Sequence, residues 1–122
     1  MITGNASEKP LADLIAKSVD GAVSLAGQLN IRQLGALLPH FKCFVTNDTG
    51  PMHMAFATKA PTIALFSPTD PNLCGSHHAK NSVTIAKNKT CFPCLRKKCH
   101  DPFCMRSIGV EEVLQHIAVN LK

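Results

Sequence analysis

The stretch Val45-Thr46-Asn47-Asp48-Thr49-Gly50-Pro51-Met52-His53-Met54-Ala55 constrains this chain more tightly than any other. The apolar run Cys43 to Val45 breaks at a small polar turn, Asn47 to Gly50, and helix-compatible residues follow at once. That order predicts a buried strand whose carboxyl end feeds the start of a helix. The unpaired N–H groups there, at the positive end of the helix dipole, make an anion site. Gly50 gives a ligand close access to the backbone. Pro51 suits a first turn, where no N–H is needed. Asp48 and Thr49 fit two roles, capping the helix or facing a ligand. His53, one turn in, either points at whatever the turn holds or lies on a helix face packed against the sheet. A phosphate or pyrophosphate is the ligand this turn suits.

The rest of the chain repeats that order. Met1 to Thr3 reads as a strand ending at Gly4, and residues 8 to 19 as a helix with Leu11, Leu14, Ile15 and Val19 on one face. Ala22 to Leu25 reads as a strand. Asn30 and Gln33 have capping-box spacing, and the helix they open carries Ile31, Leu34, Leu37 and Leu38. Cys43 to Thr46 is the third strand, Gly50 to about Thr58 a helix, Thr62 to Phe66 a fourth strand and Val83 to Ala86 a fifth. Ser67 to Asn81 reads as a loop, residues 88 to 109 as a Cys-rich loop, and residues 110 to 121 as a closing helix. Its face is Val110, Val113, Leu114, Ile117 and Leu121.

Strands alternating with helices imply α/β architecture, built of βαβ units around a parallel sheet covered on both faces. Ligands of such sheets lie beyond the carboxyl ends of the strands. Four turns belong there: Gly4 to Glu8, Gly27 to Asn30, Asn47 to Gly50, and Ser67 to Asp70. At 122 residues the chain makes one modest domain, and 45% hydrophobic content against 17% charged favours folding over disorder. No apolar run is long enough to cross a bilayer. Met1 to Lys9 show neither a basic leader nor an apolar core of a signal peptide, so the expected location is the cytoplasm.

Six cysteines without a secretory signal argue for reduced thiols or metal rather than disulfides. Cys91, Cys94, Cys99 and Cys104 fall within 14 residues, with His100 among them. Four such ligands can close a structural zinc site or hold an iron–sulfur cluster. They equally fit a set of reduced thiols, some buried as small hydrophobes. The spacing lacks the paired CxxC pattern of zinc sites. Cys43, in a core strand, is expected to be inert. The net charge is +5, and seven of the thirteen basic residues lie between Lys80 and Arg106. That cluster suits a solvated loop or an anionic partner. One reading is therefore a zinc-stabilised basic module gripping nucleic acid. With no Tyr or Trp anywhere, it has a poor base-stacking platform.

Three runs carry a family resemblance. They are Leu25-Ala26-Gly27 before a Leu-rich helix, Asn47-Asp48-Thr49-Gly50-Pro51-Met52-His53, and Ala64-Leu65-Phe66-Ser67-Pro68-Thr69-Asp70-Pro71. The tail, with Cys91-Phe92-Pro93-Cys94, Cys99, Cys104-Met105, Ser107-Ile108 and Glu111-Glu112-Val113, continues it. Together they resemble glycosyltransferase family 9, the ADP-heptose:lipopolysaccharide heptosyltransferases.

The resemblance implies the GT-B architecture of two Rossmann-like domains. This chain is similar to most of the second, donor-binding domain, a partial Rossmann-like unit over residues 1–122. The N-terminal domain, which in the family binds the acceptor and carries an aspartate base, is absent from this stretch. No catalytic residue is therefore expected here, and no transfer by these residues alone. The resemblance gives Asp48 the hydroxyls of the donor sugar, and Thr49 and Gly50 N–H groups for the pyrophosphate. It gives His53 a phosphate oxygen, and Glu8 the nucleoside. Thr69 and Asp70 fall on a cleft-facing turn. The implied ligands are ADP-heptose and, for the complete enzyme, a lipopolysaccharide core acceptor at the inner face of the inner membrane. No metal cofactor is implied, and the five aspartates never stand two apart as an Asp-x-Asp metal motif requires. Ser67 stands where many members have Gly, and Ser76-His77-His78 also departs from the family's pattern.

Overall fold

The computed structural model describes residues 1–67, 69–75, 80–87 and 99–120. The chain divides into two compact units, Met1–Ala36 and Leu37–Lys122.

In the first unit, Asn5 opens a 3-10 turn, Ala6–Glu8, through a capping box. Its side-chain oxygen accepts from Ser7 N at 2.8 Å and Glu8 N at 3.1 Å. The Glu8 carboxylate accepts in return from Asn5 N at 2.7 Å. Three backbone donors are thus satisfied by two side chains that reach toward each other's main chain. Helix α1, Lys9–Ser18, follows with Pro10 in its first turn. Lys9 lies 2.6 Å from Asp13, and its hydrogen bond is the main cause holding the Asp13 carboxyl below the usual range. The two strands expected here reduce to a single parallel bridge, Ile2 with Ser24. Bonds from Ile2 N to Val23 O and from Leu25 N to Ile2 O, both 2.8 Å, flank it. So short a pairing offers little sheet to pack on. Of α1 only Ala12 is buried, and Leu11, Leu14 and Val19 stay more than half exposed. Gly27, at φ +72°, brings the returning chain so close that a Cβ there would lie 3.0 Å from Ala6 Cα. Only glycine suits both demands. Asn30 and Gln33 form the expected reciprocal box, each bond 2.9 Å, and open α2, Ile31–Leu37.

The second unit holds a three-stranded parallel sheet in the order β1 (Phe44–Asn47), β2 (Thr62–Phe66), β3 (Ser82–Ala86). Phe44 pairs with Thr62 and Asn47 with Leu65. On the other side Thr62 pairs with Ser82 and Phe66 with Ala86. β2 is central, which accounts for its unbroken apolar run: both faces are covered. Alternation sends Ala64 and Phe66 to the face under helix α3, Gly50–Ala57, where they form a buried cluster with Met52. Phe56 and Cys74 pack around it. On the opposite face Leu65 borders an apolar groove of about 240 Å³, lined also by Met105, Ile108, Val113 and Leu114. The last two belong to α6, Val110–Asn120. Buried Thr62 donates its hydroxyl to Ala60 O at 2.7 Å, so its polar group is satisfied.

Two one-turn helices stand where loops were expected. α4, Pro71–Cys74, starts at Asp70, whose carboxylate accepts from Asn72 N at 2.8 Å. α5, Phe103–Arg106, lies inside the expected Cys-rich loop. β1 runs one residue later than expected. Cys43 precedes it, and partial burial pushes its thiol pKa up, which suits an unreactive side chain. Lys87 Nζ reaches the Glu112 carboxylate at 2.6 Å, tying the end of β3 to α6. Pro68, Ser76, His77, His78, Cys91, Cys94 and Leu121 lie outside the described residues.

Candidate functional site

The parallel register places the carboxyl ends of β1 and β2 side by side, so the turns after them meet. Asp48 follows β1 and Thr69 follows β2. Thr69 donates its hydroxyl to Asp48 Oδ2. His53 Nε2 lies 4.0 Å from the other oxygen, Oδ1. That exceeds hydrogen-bonding distance and leaves the imidazole available to a ligand. The Asp48 side chain is 14% exposed and that of His53 58%. The carboxylate is therefore held in the turn while the histidine stands over it. Phe56 meets the His53 ring edge-on, with centroids 6.3 Å apart.

Helix α3 starts in the turn after β1, as the strand–turn–helix reading expects. Thr49 is the N-cap residue, with extended backbone at φ −147°, yet its side chain makes no capping bond. Its hydroxyl is 3.3 Å from Asn47 O instead. Asp48 is turned sideways to Thr69. Pro51 occupies the first turn, so one donor is removed rather than left unmet. Among the described residues, a Cβ at Gly50 would meet nothing within 4 Å. The glycine is not required by this backbone; it leaves open space over the helix start.

The structure brings Asp48, Thr49, Gly50, His53 and Thr69 together. Asp70 belongs to the same turn as Thr69, with its carboxylate spent on capping α4. Glu8 belongs to the first unit, with its carboxylate spent on the Asn5 box. Of the four clustered cysteines, two are described. Cys99 donates to Asp101 O at 3.1 Å. The Cys104 thiol lies 2.6 Å from the Ser67 hydroxyl. Among the described residues no group of three His, Cys, Asp or Glu side chains is placed to hold a metal ion. Nor is any helix among them long and apolar enough to cross a membrane. Sequence reasoning missed the Ser67–Cys104 and Thr69–Asp48 pairs. The separations of 37 and 21 residues leave no local signal; only strand register, once known, brings the second pair together.

A parallel sheet with helices and turns gathered at its strand ends defines an α/β domain of the Rossmann type. The sequence model of glycosyltransferase family 9 (heptosyltransferase) matches residues 1–103, and the chain belongs to that family. Lipopolysaccharide heptosyltransferase 1 of Pseudomonas aeruginosa is 32% identical over 96 residues, covering 79% of this chain and 26% of the relative. Lipooligosaccharide heptosyltransferase 2 of Campylobacter jejuni is 30% identical over 97 residues, 77% of this chain and 30% of the relative. The structure of the E. coli ADP-heptose LPS heptosyltransferase II superposes with a TM-score of 0.72 at 23% identity. That superposition covers 98% of this chain and 35% of the E. coli chain, and it shows the Rossmann-like fold. The chain thus spans about a quarter to a third of the relatives it matches. They do not favour the nucleic-acid module.

Proposed function

We propose that this chain is the donor-binding part of a lipopolysaccharide heptosyltransferase. It would hold ADP-heptose for transfer to the lipopolysaccharide inner core, in the cytoplasm at the inner face of the inner membrane. The observation that carries the reading is the turn after β1. There a carboxylate fixed by Thr69, an exposed His53 and a helix start with open space over Gly50 share one strand end.

Each group has a role by its chemistry. Asp48 accepts from hydroxyls of the donor sugar. The N–H groups of Thr49 and Gly50 face the pyrophosphate at the positive end of α3. His53 donates to a phosphate oxygen and steadies the departing diphosphate, in place of a metal ion. Glu8 is assigned to the nucleoside, and Thr69 and Asp70 to the cleft-facing turn. The acceptor and the base belong to the remainder of the relatives' length.

The test is a titration of the chain with ADP, followed by amide NMR. Thr49, Gly50 and their neighbours should shift, and His53→Ala should weaken binding by about 1 to 3 kcal/mol, as loss of a charged hydrogen bond does. Unchanged affinity in His53→Ala removes the histidine from the site. Absence of any ADP response at Thr49 and Gly50 refutes the donor assignment.

A further inference from the structure

The amino end of the sheet carries a row of charge. β1, β2 and β3 start level with one another, Phe44 beside Thr62 and Thr62 beside Ser82. The segments leading into them are tied in the same order. Phe44 N donates to Pro61 O at 2.8 Å, and Thr62 N to Asn81 O at 3.1 Å. Each lead-in holds one exposed lysine: Lys42 two residues before β1, Lys59 three before β2, and Lys80 two before β3. Neighbouring strands lie about 4.8 Å apart, so the three backbones fall within roughly 10 Å. Adjacent lysines are thus inside one screening length at physiological salt, about 8 Å, and their potentials add.

No acid offsets the row. Among the described residues none of the three lysines forms an ion pair. The five acids of the second unit have other places. Asp48 and Asp70 come after β1 and β2, at the carboxyl ends. Glu112 meets Lys87 after β3, Glu111 stands beside it in the first turn of α6, and Asp101 pairs with Arg106. Lys59 adds an independent sign. It holds the left-handed position after α3, at φ 58°, where glycine is free of strain. A side chain kept at a strained position is a sign that the side chain is used.

We propose that Lys42, Lys59 and Lys80 form a docking surface for an anionic lipid bilayer, gripping its phosphate headgroups by charge. The choice of a membrane among polyanions rests on the lipopolysaccharide reading above. It is favoured also by the lack of any Tyr or Trp on which bases could stack. The row and the donor turn lie at opposite ends of strands four to five residues long, about 15 Å apart. Docked by the row, the chain keeps its donor turn toward water, the side from which a soluble nucleotide sugar arrives.

The experiment is co-sedimentation of the 122-residue chain with vesicles of phosphatidylcholine, pure or with about one-third phosphatidylglycerol. The chain should bind the anionic vesicles and not the neutral ones, and release at about 0.5 M salt, where screening shortens to roughly 4 Å. Lys42→Gln, Lys59→Gln and Lys80→Gln should each cost about fivefold in partitioning, and the triple variant about a hundredfold. The control Arg96→Gln/Lys97→Gln/Lys98→Gln removes the same charge elsewhere in the sequence and should cost less than about tenfold. Lys59→Gly should bind as weakly as Lys59→Gln while melting no lower than the unsubstituted chain, which separates lost charge from lost fold. A chain that ignores anionic vesicles, or binds neutral ones as well, overturns the proposal. So does a control triple that loses as much as the row triple. Weakened binding of single-stranded RNA with unchanged vesicle binding in the row triple assigns the lysines to nucleic acid and overturns it too. ADP affinity should stay within about twofold in the row triple, since the donor turn is beyond one screening length; a parallel loss of ADP places the lysines in the donor site instead. If the unsubstituted chain ignores ADP, the donor reading fails, and the vesicles alone decide the row.

Discussion

The two oxygens of Asp48 have different surroundings. Oδ2 takes the Thr69 hydroxyl, so the carboxylate cannot swing freely, while Oδ1 is left 4.0 Å from His53. A carboxylate locked at one oxygen presents the other with little ordering cost, the preorganisation that polar recognition needs. Gly50 gives a clean way to probe that space. Because a Cβ there meets none of the described residues, Gly50→Ala should leave stability within about 0.5 kcal/mol. If the open space is where the pyrophosphate sits, the same methyl should weaken ADP about tenfold, a modest overpacking cost. Thermal melts and an ADP titration on one preparation check both halves. A variant that binds ADP normally places the pyrophosphate elsewhere. The placing of Asp48, Gly50 and His53 at one strand end was readable from the sequence of that turn. Thr69's engagement with Asp48 was not, because residues 21 apart meet only through strand register, which no local pattern encodes.

Among the elements, α3 ends as instructively as it begins. Lys59 N donates to Phe56 O at 3.1 Å and Ala60 N to Ala55 O at 2.9 Å, the bond pair of a Schellman motif. Its left-handed position is filled by Lys59 at φ 58°, where glycine is the usual choice. Lys59→Gly should therefore raise stability by about 0.5 to 1 kcal/mol, part of the left-handed strain being offset by glycine's unfolded-state entropy. Urea unfolding would show it as a higher midpoint with an unchanged slope. Longer elements were legible because period and caps agreed: the Asn30–Gln33 box opens α2, and Thr62–Phe66 is β2. The one-turn helices were not, since four residues carry no measurable period. α4 did leave a trace, an Asp70-Pro71 start and a Gly75 stop, the usual signals of helix ends. The strands of the first unit were over-read, because a local apolar run says nothing of how much partner strand it will find.

At the scale of the whole molecule, charge and donor chemistry set two expectations. A chain of net charge +5 binding an anionic diphosphate should lose affinity several-fold as salt rises from about 0.05 to 0.5 M, while screening shortens from roughly 14 to 4 Å. A site that neutralises the diphosphate with N–H groups and a histidine should be indifferent to EDTA, with ADP affinity changed less than about twofold. A large chelator effect would assign the diphosphate to a metal that the turn after β1 does not supply. The α/β class was legible from alternation alone, and the family from motif order. The division into Met1–Ala36 and Leu37–Lys122 was not, because contact density is a property of packing, with no residue type to announce it. Finally, β2 lies hydrogen-bonded between β1 and β3, so its amides are shielded from both sides. In heavy water, Thr62 to Phe66 should be the last backbone protons to be replaced, exchanging only when the sheet opens as a unit. Their protection would then report the global opening free energy, leaving the helix starts and turns around the site to exchange through smaller, local openings.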